Sequence, residues 1–156
     1  MVSKHFETIK NQDDPLKFII ARFLMRTNLC RFFKIKQNSY ILRFYPSALS
    51  RQLWINPNYT HTATMFFQDY LQKNDCMIDV GSSIGTTTLA SASCVSDEGK
   101  IYSIEPNPRI FKYLHGNIKL NNFKNIETFN VALGNKDDTI YFSDERSDVV
   151  NSINNS

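Results

Sequence analysis

Asp79, Gly81, Gly85 and Glu105 are the residues of this 156-residue chain whose types and spacing could do chemistry. Asp79-Val80-Gly81 closes a short apolar run, and Ser82-Ser83-Ile84 separates the two glycines. A glycine at the first position lets the chain turn sharply at a strand end and lets its backbone approach a ligand. Gly85 permits close packing at the start of the next helix, whose free N–H groups set a positive pole beside the loop. Glu105 ends the following apolar run, where a carboxylate can accept both hydroxyls of a ribose. This set suits a nucleoside.

The spacing separates one nucleoside ligand from another. Dinucleotide folds use G-x-G-x-x-G, whose middle glycine makes room for a pyrophosphate. Here Ser82-Ser83 stand in that place, so a ligand without phosphates fits better and a nicotinamide-dependent oxidoreductase is disfavoured. The phosphate-cradling P-loop is excluded because no Gly-Lys-Ser/Thr follows. A glycine pair on its own is often just a turn; Glu105 at the right distance is what gives it meaning.

The elements that must position these groups follow from the pattern. Residues 76–81 read as a strand ending in the glycine loop, 86–95 as a helix of small residues, and 100–105 as a second strand. Asn107-Pro108 starts a helix, since Asn is a good N-cap and Pro suits the first helical position. Ile110, Phe111, Leu114 and Ile118 form its buried face, and Asn121-Asn122 ends it. Residues 126–133 give a third strand, and residues 139–142, after a turn at 134–138, a hairpin partner. Strand, helix, strand, helix, strand at this spacing is a βαβαβ unit with a parallel sheet and right-handed crossovers, the nucleotide-binding half of a Rossmann-like α/β fold. Asn117, Asn121 and Asn125 read as helix-end chemistry and carry no catalytic role.

Upstream, Asp13 or Asp14 before Pro15 marks a helix start, and Leu16, Ile19, Ile20, Phe23 and Leu24 give it one apolar stripe that packs against the domain or a partner. Residues 39–45 read as a strand ended by Pro46, and 62–71 as a helix. Between Pro15 and Arg51 stand eight basic side chains and no acid, although the net charge of the whole chain is only +3. Such a segment either faces nucleic acid, an anionic membrane or an acidic substrate, or is a solvated rim around a packing face. Cys30, Cys76 and Cys94 match no metal-site spacing; Cys76 and Cys94 read as small core residues, and reduced thiols point to a cytoplasmic protein. No run is long and apolar enough for a spanning helix or a secretory signal.

Asp79-Val80-Gly81 to Gly85, Ile104-Glu105-Pro106-Asn107-Pro108, Phe111, Leu114, residues 117–121 and Asn130-Val131-Ala132-Leu133-Gly134 together resemble the FkbM methyltransferase family, a branch of the class I S-adenosylmethionine-dependent methyltransferases. Tyr45-Pro46 and Leu53-Trp54 resemble that family's approach to its first strand, and the likeness covers residues 44–153. The resemblance implies S-adenosylmethionine as cofactor and O-methylation of a sugar or small hydroxylated metabolite. By that likeness Asp79, Gly81, Ser82, Ser83 and Gly85 form the methionine-side loop, Glu105 holds the ribose, Asn107 lies near the nucleoside, and Val131 and Ala132 flank the adenine. It also implies two segments: a basic amphipathic helical and strand extension at 1–43, and a partial class I methyltransferase domain at 44–156.

Where the class I fold has seven strands, this sequence offers three parallel strands and a hairpin. The strand carrying Asp79 is therefore expected to have an open edge, which invites pairing with another copy or a complementing chain. The alternative to an enzyme is thus a non-catalytic cofactor-binding fragment. Nucleic acid reads as the less suitable partner than a glycan or small molecule, since no base-binding pocket follows the sheet. A hydroxyl acceptor would benefit from a general base. His61 and His115 are the candidates, with His5 remote, and none stands out.

Overall fold

The computed structural model describes residues 14–95, 97–136, 139, 141–142 and 153–154. Helix α1 (Pro15–Arg26) begins as its sequence dictates: the Asp14 side chain accepts the Lys17 N–H at 3.0 Å, and Pro15 takes the first helical position. A 3-10 turn (Leu29–Phe32) leads into β1 (Lys34–Lys36), which pairs antiparallel with β2 (Ile41–Arg43). Helix α2 (Ala48–Ile55) is capped by the Ser47 hydroxyl, and α3 (His61–Tyr70) follows. Then come β3 (Cys76–Val80), α4 (Thr86–Ala92), β4 (Lys100–Ile104), α5 (Pro108–Leu120) and β5 (Ile126–Phe129). Two short strands, β6 (Tyr141–Phe142) and β7 (Ile153–Asn154), pair antiparallel with each other.

Strands β3, β4 and β5 form one parallel sheet in that order, with Asp79 opposite Ser103 and Ile104 opposite Phe129. This is the expected βαβαβ unit, and the chain has the Rossmann-like class I methyltransferase fold in part, with an N-terminal helix and hairpin before it. The hairpin expected at 139–142 lies elsewhere: β6 joins β7 in a sheet of its own. Among the described residues, strand β3 stands at one edge of its sheet. One face of the sheet is covered by helices; on the other, Ile78 and Val80 are about three-fifths exposed, at 62% and 60%.

The main core joins the N-terminal elements to the βαβαβ unit. Leu24, Cys30, Ile35, Leu42 and Phe44 from the N-terminal elements pack with Leu53, Ile84, Leu89, Ile110 and Tyr113. Full burial of each large apolar side chain here contributes about 1.5–3 kcal/mol. Trp54 stacks on Phe44 with ring centroids 5.1 Å apart, and Tyr45 lies flat on Tyr113 at 4.4 Å. Gly116 is required beneath that pair, because any Cβ there would collide with the Tyr45 hydroxyl.

Several expectations need correction. In α1 the buried residues are Phe18, Ala21 and Leu24, whereas Leu16, Ile19, Ile20 and Phe23 are exposed. Two stripes satisfy the three-four spacing, and the one that meets α2 carries Phe18, over whose ring Arg51 of α2 lies at 5.3 Å. Cys76 is exposed, because it opens β3 on the uncovered sheet face; Cys94 is half-buried, and Cys30 is the cysteine in the core. Burial pushes the Cys30 thiol up from its ordinary value. Strand β5 stops at Phe129 rather than Leu133, since β4 ends at Ile104 and Asn130 turns back to donate to the Glu105 and Pro106 carbonyls at 2.8 and 3.1 Å.

Candidate nucleoside site

The glycine loop is built at the carboxyl ends of β3 and β4. Gly81 has φ +79° and Gly85 φ +92°, backbone that L side chains rarely adopt, and Ser83 between them has φ +50°. The Gly81 and Ser82 N–H groups both donate to the Ile104 carbonyl, at 2.9 and 3.0 Å, so the loop is tied to the neighbouring strand. The buried Ser82 hydroxyl donates to the Asp79 carbonyl at 2.8 Å. At Gly85 a Cβ would come within 2.7 Å of Leu114 Cδ1, so this glycine is where α4 and α5 approach closely. At Gly81 a Cβ would meet nothing within 4 Å: the backbone there faces open space.

Glu105 closes the loop from the second strand. Its carboxylate accepts the Ser83 N–H at 2.9 Å on one oxygen and the Asn107 N–H at 2.8 Å on the other. It is buried, 7% exposed, yet each carboxylate oxygen has a second lone pair left to offer. Asn107 is the N-cap of α5, accepting the Arg109 and Ile110 N–H groups at 2.9 and 3.1 Å. Its side-chain oxygen is thus spent on the helix.

Asp79 turns the other way. Its carboxylate accepts the Thr88 hydroxyl of α4 at 2.6 Å, and Thr88 lies 2.9 Å from the Ser103 hydroxyl. The single Thr88 proton goes to Asp79, so Ser103 donates to Thr88. Burial pushes the Asp79 carboxyl above its ordinary value, and the hydrogen bonds from Thr88 and Ser82 pull partly against that. Asp79 pins strand to helix beneath the loop.

Of the residues expected at the site, Gly81, Ser82, Ser83, Gly85, Glu105 and Asn107 come together in one hydrogen-bonded unit. Val131, half exposed, and Ala132 lie in the irregular segment past β5, attached to the site through Asn130 and the Glu105 carbonyl. His61 opens α3 and is exposed; His115 stacks on Phe111 on the outer side of α5. His5 lies outside the described residues. Asn130, which carries part of the family resemblance but has no role assigned from sequence, crosses from β5 to the backbone of Glu105. The residues fit S-adenosylmethionine: open glycine backbone for a ligand's approach, and a carboxylate with acceptor capacity for two hydroxyls.

A family model described as the TRM5/TYW2 methyltransferase domain matches residues 49–150, about two thirds of the chain. The chain belongs to the TRM5/TYW2 methyltransferase domain family. The class I superfamily expected from the motifs stands, but the branch is this one; the FkbM resemblance finds no support. The cofactor that goes with TRM5/TYW2 domains is S-adenosylmethionine, as expected. No curated protein matches the chain.

Among solved structures, Trm5b from Pyrococcus abyssi is similar at 22% identity over 60% of this chain, with a TM-score of 0.46. P. horikoshii TYW2 in complex with MeSAdo is similar at 24% identity over 46% of the chain, TM-score 0.41. A putative rRNA-methylase from Clostridium thermocellum reaches 12% identity over 46%, TM-score 0.44. The chain spans 26% of the first two and 41% of the third. No helix of the described residues is long and apolar enough to cross a membrane.

Proposed function

We propose that this chain holds S-adenosylmethionine at the Gly81–Gly85 loop and Glu105 and serves methyl transfer to RNA, tRNA being the substrate class that goes with a TRM5/TYW2 domain. The observation that carries the reading is the Glu105 carboxylate fixed against both the loop and the start of α5, inside the segment the family model matches. When bound, the cofactor supplies a methyl group on a sulfonium, open to in-line displacement by a positioned nucleophile. The chain's own groups orient it: Glu105 receives the ribose, and the bare Gly81 backbone admits the amino-acid end. Val131 lies beside the nucleoside position. No side chain here is assigned as base.

A sugar or small hydroxylated acceptor draws no support from the family, and the expectation that nucleic acid is the less suitable partner is given up with it. The cytoplasmic location stays part of the proposal, resting on three free cysteines. A second reading, a cofactor-binding part completed by another copy or chain, is favoured by one observation: the exposed Ile78 and Val80 on edge strand β3. Size-exclusion of the purified chain tests it, a clean monomer counting against.

The deciding experiment is calorimetric titration with S-adenosylhomocysteine, beside a Glu105→Ala variant and with NADH as control. Saturable binding lost in the variant supports the cofactor site. A folded chain that binds nothing overturns it.

A further inference from the structure

Five arginines converge on one cavity. Arg22 and Arg26 of α1, Arg31 of the 3-10 turn, Arg51 of α2 and Arg109 in the first turn of α5 line a concavity of about 990 Å³, and no described carboxylate lines it with them. From the sequence, the basic segment could have been a solvated rim. The fold instead draws its arginines from four separate elements to a common space.

Like charges around one space repel, and at physiological salt screening acts only beyond about 8 Å. Two features hold the forks in place regardless. Arg31 lies over the Tyr113 ring at 5.8 Å, while Arg22 and Arg51 lie over Phe18 at 5.8 and 5.3 Å. Such stacking pre-organises guanidinium planes for bidentate contact with phosphate oxygens. Arg109 adds a cation at a helix N-terminus, the end that already carries positive partial charge. Phe23, 61% exposed, offers a flat apolar surface at the rim on which an unpaired base can stack.

We propose that this cavity is a phosphate-backbone site for RNA, in which the arginines take successive phosphates and Phe23 takes a base. Its place in the molecule fits. The Arg109 backbone N–H donates to the Asn107 side chain at 2.9 Å, and the Asn107 N–H donates to Glu105 at 2.8 Å, so this cavity-lining residue follows the nucleoside-site carboxylate within one hydrogen-bonded turn. Arg22, Arg26 and Arg31 precede residue 49, where the family match begins, so most of this surface lies outside the matched segment. The identity of the anion rests on the RNA-methyltransferase reading above; the presence of the cavity does not.

The test is fluorescence anisotropy of a fluorescein-labelled, unmodified tRNA transcript titrated with the full chain at several salt concentrations. Arg22→Glu/Arg26→Glu is compared with Lys34→Glu/Lys36→Glu, which makes the same charge change on exposed residues of β1 outside the cavity. The arginine pair is expected to lose roughly tenfold or more in affinity and to flatten the salt slope by about one to two, while the lysine pair stays within about threefold. S-adenosylhomocysteine titration and circular dichroism on the same variants are expected to match the parent. Arg26→Ala alone, at an exposed position, gives the same ranking with a smaller loss if the double variant does not fold.

Equal losses in both pairs overturn the cavity in favour of diffuse charge. Binding by the parent to phosphatidylserine vesicles but not to the transcript overturns it in favour of a membrane surface. Loss of S-adenosylhomocysteine binding by the parent strikes the methyltransferase reading separately from either result.

Discussion

The Glu105 carboxylate accepts the backbone N–H of Ser83, a residue 22 positions earlier, at 2.9 Å, while its other oxygen accepts the N–H of Asn107. One side chain thereby fixes the glycine loop of one βα unit and the helix start of the next. Hydrogen bonds to a charged group each contribute about 1.5–3 kcal/mol. In Glu105→Gln one oxygen becomes an NH₂ that faces an N–H donor. The variant is expected to be destabilised by about 1.5–3 kcal/mol, read from urea unfolding. An unchanged midpoint would mean the loop is held without it.

Gly85 combines a positive φ with a Cβ position 2.7 Å from Leu114 Cδ1. Gly85→Ala therefore faces both backbone strain, about 1–3 kcal/mol, and a clash in the core. Adding Leu114→Val is expected to recover the clash part alone, since it leaves φ where it was. Full recovery in the double variant would show that the backbone conformation carries no cost.

Burial holds the Asp79 carboxyl above its ordinary value, so its neutral form is favoured in the fold. The stability this group contributes is fully present below the unfolded value, about 3.9, and is lost as pH rises through the raised folded value. Asp79→Asn keeps an acceptor for Thr88 and cannot ionise. Relative to the parent it is expected to gain stability between about pH 3.5, below the unfolded value, and about pH 7. Parallel unfolding curves at both pH values check this, and a constant difference would sink it.

Asn117 is fully buried and donates to the Ile84 carbonyl at 2.8 Å while accepting the Arg43 N–H at 2.8 Å. Asn117→Ala leaves both backbone groups without that partner, at about 1–3 kcal/mol each. Asn117→Asp keeps the acceptor for Arg43 but sets a carboxylate against the Ile84 carbonyl, and is expected to melt at least as low as the alanine variant at neutral pH. A neutral alanine variant would show that water replaces both bonds.

The central unit was legible because its signals are local. Asn107-Pro108 announced α5, and the cap geometry is as those residue types require. Glu105 was placed at the ligand end of β4 because strand, loop and acid share one short stretch. Helix α2 is not evident in the sequence, although Ser47 caps it and Leu49 and Leu53 have helical spacing, because its 8 residues make too few turns to show a sustained apolar stripe. The buried face of α1 was misread because Phe18–Ala21 and Leu16–Ile20 are equally periodic, and only the position of α2 decides between them. The convergence of Arg22, Arg31, Arg51 and Arg109 could not be read at all: it depends on the packing of α1 and α2 beside α5. The family branch, too, lay beyond motifs that class I methyltransferases share.

Asn121 and Asn117 do more than end a helix. Asn121 takes both the N–H and the carbonyl of Ile41, and Asn117 takes the N–H of Arg43, so two side chains act as the missing neighbour strand of β2. The partners lie 74 and 80 residues apart. During synthesis at about 5–20 residues per second, the hairpin that emerges first must wait several seconds for the helix that completes it. The β1–β2 hairpin leaves the ribosome well before α5 and locks only once that helix arrives, and in that interval its outer edge is open to capture by a chaperone or by another nascent chain.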